Sequence, residues 1–375
     1  MPSPITNSWE GPQGLPRLPV ERVFLYRPEQ EWTYSHHPSL TWFGGRFLAI
    51  WSNGREHEDD VGQRVLLSAS ADFGTWTEPE PLVDSQPGQD AEAVLTAAGF
   101  HQHAGLLVAY FGRYEYGPEC LEDGRRATRQ PFDRGHRCTR LFALTSTDGQ
   151  HWSGIGDLRL PLVPNHPPQA TRSGRLILSG NVVFPYTDAP DGLSGWRLAG
   201  IYPPEMAGEV FDDSEGFWRV RECAGWEPGL CEGSFYQTDD GVLHMLLRSG
   251  QQRLWVTESG DDGETWSWPE PTAFTDCNTK FHFGRLPDGR FYYVGCPDPQ
   301  GPRNPLVLSL SEDGVRFARH YVLADEPYAR RRDGLHKMGE YGYPHTLLHD
   351  GWLCVIASRQ KEAVEVLRTP LAQVA

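Results

Sequence analysis

Long apolar runs are missing from this 375-residue sequence, and no segment is hydrophobic enough to cross a bilayer. The opening Met1-Pro2-Ser3-Pro4-Ile5-Thr6-Asn7 has no basic stretch leading into an apolar one, so a secretory leader is not expected and the cytoplasm is the expected location. No long amphipathic helical period is found either, which excludes bundles and helical repeats. Positive charge is scarce: 34 Lys and Arg against 50 Asp and Glu give a net charge of −16. That balance argues against nucleic acid and anionic membrane as partners. It leaves an acidic small substrate open, because charges beyond a Debye length of about 8 Å are largely screened and a few cations in a pocket can outweigh the total. The seven cysteines, at 120, 138, 223, 231, 277, 296 and 354, are odd in number and contain no Cys-x-x-Cys. Reduced thiols are expected rather than a disulfide framework or a metal signature, the pairing of Cys277 with His282 being the nearest approach to a zinc site. No cofactor is implied.

What the chain does have is turns and aromatics: 40 Gly, 31 Pro, 13 Trp, 14 Tyr and 17 Phe. These fit many short strands, and the fold class expected is all-β. A phrase, Ser259-Gly260-Asp261-Asp262-Gly263-Glu264-Thr265-Trp266, recurs in weaker form at Ser70 to Trp76, Ser146 to Trp152 and Ser311 to Phe317. In each copy an Asp can accept backbone N–H bonds, a Gly can take positive φ, and an aromatic can plug the turn. A second series, Gly44-Gly45, Ala104-Gly105, Ser173-Gly174, Asp240-Gly241, Asp288-Gly289 and Asp350-Gly351, precedes β-rich runs and reads as hairpins. Gly45 to Gly351 is 306 residues over five intervals, about 61 per repeat, the length of a four-stranded propeller blade with its loops. Six blades can be counted, seven if the first interval hides a partial one. The third blade lacks the Asp phrase and keeps a strand near Gly195 to Ala199. Residues 1–20 are expected to be a Pro-rich strap or tail and 21–375 a single propeller, with Arg22 to Tyr26 joining Ala363 to Leu367 to close the ring. Glu119 to Gly135 reads as an insertion.

Candidate site residues lie where strands end on the central cleft. Tyr34-Ser35-His36-His37-Pro38 and Trp51-Ser52-Asn53-Gly54-Arg55-Glu56-His57 flank one hairpin, which should bring His36 or His37 near His57, beside Asn53. The second repeat offers Tyr114 and Tyr116, then Arg137; the third offers His166. Arg248, Lys280, Arg303 and Lys337 recur blade after blade and read together as a collar for a carboxylate, with Tyr341 and His345 nearby.

The Asp phrases resemble those of the sialidase-like superfamily of Asp-box propellers, over nearly the whole chain. Within it, the SHHP phrase, the WSNGxxHED phrase and the YGYPH phrase are similar to those of the rhamnose-glucuronate lyases and rhamnosidases, and more distantly the propeller ulvan lyases. That resemblance implies His37, His57, Tyr114 and Arg137 around a uronate. Classical sialidases open with Arg in a Phe/Tyr-Arg-Ile-Pro phrase, for which this chain has only Pro16-Arg17-Leu18-Pro19. The resemblance favours β-elimination on an acidic, uronate-containing oligosaccharide, with Arg neutralising the carboxylate and a His and Tyr moving protons. Hydrolysis of sialidase or rhamnosidase type is the first alternative, and a non-catalytic glycan-binding propeller the second. The oligomeric state is not written in the sequence.

Overall fold

The computed structural model describes residues 3–126, 136–202 and 229–374. Antiparallel sheets follow one another along the chain, each a meander in which sequence neighbours pair. The first sheet comprises Tyr34–Phe43, Arg46–Gly54, Arg64–Ser70 and Glu80–Val83; the second comprises Val94–His103, Leu106–Tyr116, His136–Ser146 and Ser153–Asp157. A third, of Gln169–Ala170, Leu176–Ile177 and Tyr186–Thr187, has three strands, and single bridges from Tyr186 to Arg197 and from Val183 to Gly200 stand where a fourth would run. The fourth sheet is Cys231–Gln237, Leu243–Arg248, Arg253–Ser259 and Glu270–Thr275, and the fifth His282–Arg285, Phe291–Gly295, Leu306–Ser311 and Arg319–Ala324. The sixth takes Tyr341–His349, Trp352–Arg359 and Ala363–Pro370 from the end of the chain and Glu21–Tyr26 from its beginning. Arg22 faces Leu367 and Val23 faces Val366, as the closing-strand expectation required. This pairing removes an open edge that would otherwise attract other strands.

Leu121–Glu122 and Arg125–Arg126 form a two-stranded ribbon inside the expected insertion; the rest of that insertion beyond Arg126, and Cys223, lie outside the described residues. The other six cysteines are free thiols. Residues 3–20 run as a strap across the outer strands of the fourth and fifth sheets, where Thr6 bridges Ala273 and Arg316, Arg17 bridges Val322, and Ile5 is buried. Among the described residues no helix is long and apolar enough to cross a membrane.

The core lies between the faces of neighbouring sheets. One cluster joins Val108, Tyr110 and Leu141 of the second sheet to Ile177 of the third and Phe235, Met245 and Leu247 of the fourth. Another joins Leu308 and Tyr321 of the fifth to Leu353 and Val355 of the sixth. Strand residues alternate between these two faces, which is why the repeats read as short apolar runs punctuated by turns.

The recurring Asp phrase closes the turn between third and fourth strands in the first, second, fourth and fifth sheets. Its hydrogen bonds repeat from copy to copy. The Ser hydroxyl meets the Asp Oδ1 at 3.2 Å in Ser70–Asp72, 3.1 Å in Ser146–Asp148 and 2.8 Å in both Ser259–Asp261 and Ser311–Asp313. The same oxygen accepts the amide of Thr75, His151, Thr265 or Arg316 at 2.7–2.9 Å. Trp76 and Trp266 donate their indole N–H to Phe73 and Gly263 carbonyls of their own turns, and Phe317 is fully buried beneath the strap. Asp261 thus holds an amide and the Thr265 hydroxyl at once. Asp261→Ala is expected to cost about 1–2 kcal/mol, the range for losing a side-chain cap with its amide partner. Urea unfolding should show it as a lowered midpoint at unchanged slope; an unaltered midpoint would remove the motif's stabilising role.

Candidate active site

Bulges in the innermost strands aim the chemistry inward. Register slips by one residue between His36 and Ser39 in the first sheet, Cys231 and Ser234 in the fourth, and Gly342 and His345 in the sixth. A bulge bends the strand and re-aims a side chain. The residues it displaces are His37, Glu232 and Tyr343, with φ of +53°, +51° and +53°. Asp59, Asn278, Arg303 and Lys361 also lie in the left-handed region, at +56°, +62°, +60° and +53°. Each such non-glycine residue costs on the order of 1–2 kcal/mol, a strain that characteristically gathers at functional sites.

Tyr343 is the centre of this group. Its hydroxyl donates to Glu232 Oε1, and Arg248 Nη1 lies 2.6 Å from Glu232 Oε2 and 3.3 Å from the same hydroxyl. Arg248 is held in turn by Asn278, whose Oδ1 accepts its Nε–H at 2.5 Å. Lys280 Nζ is 5.2 Å from the centre of the Tyr343 ring, and Arg303 and Lys361 are each 6.0 Å from it. Burial pushes the Tyr343 phenol well above its ordinary value, with Glu232's charge adding to the effect. Burial opposes ionisation of Glu232 too, but the charge and hydrogen bond of Arg248 outweigh it and hold this carboxylate below its usual range. A tyrosine whose proton faces an ionised carboxylate is arranged as a nucleophile beside its base.

The two histidines of the first sheet pack against this tyrosine. The His36 ring is 3.9 Å and the His37 ring 5.2 Å from that of Tyr343, centre to centre. Nδ1 of His36 meets Ser358 Oγ at 2.7 Å, and Nδ1 of His37 meets Ser52 Oγ at 3.2 Å. Burial keeps both neutral, bringing His37 down to about 3. His36, His37 and Glu58 bring ligand atoms within 4.8 Å of one another, a set with metal-binding chemistry. Both oxygens of Glu58, however, are 2.5 Å from Lys361 Nζ, so an ammonium already takes the cation's place.

Asp59 follows on the same loop. Its carboxyl is pushed up to about 6 by burial and by the neighbouring charge of Glu58. Tyr114 is buried beside it with its hydroxyl on that carboxyl, while Tyr116 donates to the Asp59 carbonyl at 2.9 Å. His136 packs on both tyrosines. An acid that keeps its proton to pH 6, on the loop that also carries Glu58, has the protonation state needed to protonate a leaving oxygen.

Of the residues singled out by sequence, His36, His37, Arg248, Lys280 and Arg303 come together around Tyr343, and Tyr114 and Tyr116 support Asp59. His57 turns instead to the loop before the sixth sheet, where its Nδ1 accepts the Leu335 amide at 3.2 Å; Glu58 is the residue that approaches His36, at 3.9 Å. Arg137 pairs with Asp90 at 3.0 Å on a half-exposed strand. Lys337 is outside the collar: its Nζ is buried against the Thr33 carbonyl at 2.9 Å and Glu362 at 3.2 Å. Tyr341 bonds to Glu326 under the Arg359 guanidinium, so the Tyr-Gly-Tyr-Pro-His phrase contributes its second tyrosine, not its first. Asn53 braces the first hairpin, giving its amide to the Tyr34 carbonyl at 3.1 Å and accepting from Arg64 at 2.9 Å. His166 and His345 stack on His282. Arg17 of the strap pairs with Asp325 at the surface. A usable signal for Tyr343 and Glu232 was present in the repeat itself: His37 and Tyr343 stand eight residues before Gly45 and Gly351, and Glu232 nine before Gly241.

Successive antiparallel sheets, four-stranded except the third, define an all-β propeller. The chain resembles Trypanosoma rangeli sialidase with a TM-score of 0.65 at 13% identity, over 93% of this chain and 59% of that one. It also resembles a variant of NanB sialidase from Streptococcus pneumoniae, with a TM-score of 0.64 at 13% identity over 97% of this chain and 72% of that one. A Dyadobacter fermentans protein of unknown function matches with a TM-score of 0.63 at 17% identity, over 93% of this chain and 99% of that one. Comparison with curated proteins gives no match. Residues 45–354 match the BNR repeat-like domain, and the chain belongs to that family.

Proposed function

We propose that the protein is a retaining glycoside hydrolase of sialidase type acting on a sugar that carries a carboxylate. The observation that carries this reading is the hydrogen bond from Tyr343 to Glu232 within a ring of four cations. Most glycosidases use two carboxyls, and sialidases use a tyrosine nucleophile in their place. The substitution has a physical reason: a phenol approaches a carbon next to a carboxylate without the repulsion an anionic nucleophile would meet. In this reading the Tyr343 oxygen bonds to the anomeric carbon as Glu232 takes its proton, and Asp59 protonates the departing oxygen. Water then attacks the same carbon, Asp59 takes its proton, and Tyr343 leaves and recovers its proton from Glu232. Arg303 and Arg248 hold the sugar carboxylate. Of the set that the lyase resemblance implies for elimination, His57 bonds instead to the Leu335 amide and Arg137 to Asp90, which leaves His37 and Arg248 as the base and cation for that alternative.

Carboxylated oligosaccharides from sialate and uronate families, digested in heavy-oxygen water and read by mass spectrometry, test the assignment. The expected product carries one labelled oxygen, and proton NMR should show it first released with retained anomeric configuration. Because Asp59 must be protonated and Glu232 ionised, kcat/KM should fall as pH rises through about 6 and hold on the acid side until Glu232 titrates, below the usual carboxylate range. An unlabelled product with an unsaturated uronate absorbance would replace this mechanism with elimination.

A further inference from the structure

Beside Tyr343 lies a set of groups that the hydrolytic steps leave unused. His166, His282 and His345 come from three different sheets or their approaches and stack, with ring centres 5.0 Å apart for the first pair and 4.8 Å for the second. Their tautomers are fixed by backbone partners. The amide of Thr346 donates to Nδ1 of His282 at 2.9 Å, and the amide of Leu40 to Nδ1 of His345 at 3.3 Å. A backbone N–H can only donate, so both imidazoles carry their proton on Nε2. Those two Nε2–H groups have no protein acceptor among the described residues, and the two histidines are buried, at 8% and 7% exposure. His166 is the reverse case. Its Nε2–H donates to the Phe281 carbonyl at 2.8 Å, leaving a bare, buried Nδ1 without a partner.

Lys280 completes the group. It is 3% exposed, its Nζ donates to the Asn165 carbonyl at 2.6 Å, and it makes no ion pair within 4 Å among the described residues. Glu232 and Glu58, the nearby carboxylates, are already matched by Arg248 and Lys361. Burial brings Lys280 down to about 7, and its charge acts on both His282 and His345. A bound anion would hold it as an ammonium, and the two imidazole N–H groups, which have no acidic partner, want the same ligand, since unpaired buried donors are rare and costly. The bare Nδ1 of His166 wants a hydroxyl donor beside it.

We infer that Lys280, His282 and His345 form an oxyanion seat next to Tyr343, which takes a sulfate-like or carboxylate group distinct from the one held by Arg248 and Arg303. The seat narrows the substrate class of the proposed hydrolase to doubly acidic sugars, and in that respect it rests on that reading. The same chemistry would hold a free inorganic oxyanion.

Calorimetric titration separates these sources and does not depend on turnover. Sodium sulfate, glucuronate and a sulfate ester of glucuronate are titrated at fixed ionic strength into the full chain, His345→Leu and His345→Gln. Sulfate should bind saturably at one site, and His345→Leu should weaken it at least about tenfold, the scale of a lost hydrogen bond to a charged group. His345→Gln, which keeps an N–H near the Nε2 position, should recover most of that loss. If the ester binds at least tenfold tighter than glucuronate and competes with free sulfate, the seat receives a substituent of the sugar. Sulfate binding alongside glucuronate, with no gain from the ester, would assign the seat to an inorganic ion. Absence of saturable binding by both sulfate and ester, or equal affinity in the parent and a folded His345→Leu, overturns the seat. A chain that binds but does not hydrolyse leaves the seat standing and removes only the hydrolase reading.

Discussion

Tyr343→Phe is expected to lower turnover of a carboxylated glycoside by at least about a thousandfold, since it deletes the attacking oxygen and nothing else. The ring remains, and with it the contacts to His36, Lys280, Arg303 and Lys361, so folding and ligand binding should survive. Glu232 keeps Arg248 as its partner and is not stranded. The check is a pair of measurements on one preparation: single-turnover kinetics, and calorimetric affinity for an acidic monosaccharide. Loss of turnover at near-parental affinity fits a nucleophile. Equal loss of both would make Tyr343 a binding residue and leave the mechanism without its central atom.

The second large effect is on stability. Arg359 is buried with Glu365 and Glu340, each 2.6 Å from its guanidinium, and it also donates to the Glu326 and Glu340 carbonyls. The side chains of all three are at most 6% exposed. Removing one member of such a group typically costs about 3–5 kcal/mol, because it leaves buried charge uncompensated. Arg359→Leu leaves Glu340 without a cation and Glu365 with Arg22 alone, at 3.8 Å, and should fall at the upper end or denature the chain outright. The triple variant Arg359→Leu, Glu340→Gln, Glu365→Gln strands no charge, and should recover a large part of that loss. Urea unfolding of the two side by side decides the point: a triple variant less stable than the single one would show that packing around the guanidinium, and not its charge, holds this end of the sixth sheet.

Periodicity made the fold readable. The Asp phrase and the hairpin glycines are local devices whose residues bond to one another, as Asp261 does to Thr265, so their chemistry is contained within a few positions of sequence. The closing strand was readable for the same reason, since an unpaired final hairpin needs an edge partner. The site was only half readable. Arg248, Lys280, Arg303 and the first two histidines announce themselves by being polar at strand ends. Choosing Tyr343 over Tyr341 depends on which way a one-residue bulge turns the strand, since a shift of one residue sends a side chain to the opposite face. Choosing Glu58 over His57 depends on the path of the loop between Gly54 and Arg64, which no strand period sets. Lys337 illustrates the converse problem. Its spacing matches the other cations, but Glu362 lies across the loop and takes the charge inward.

The seam between the first and last sheets carries much of the site. The Ser35 amide donates to the Lys361 carbonyl at 3.0 Å, His36 meets Ser358, and Lys361 holds Glu58. Residues near the start of the chain are therefore set in place by residues among the last twenty. During synthesis on a ribosome, the early sheets emerge and can pack against one another while Tyr343 and Lys361 are still untranslated. A nascent chain can thus acquire most of its core before it has a site, and the contacts that complete the site form only when the C-terminal hairpin docks beside the first sheet.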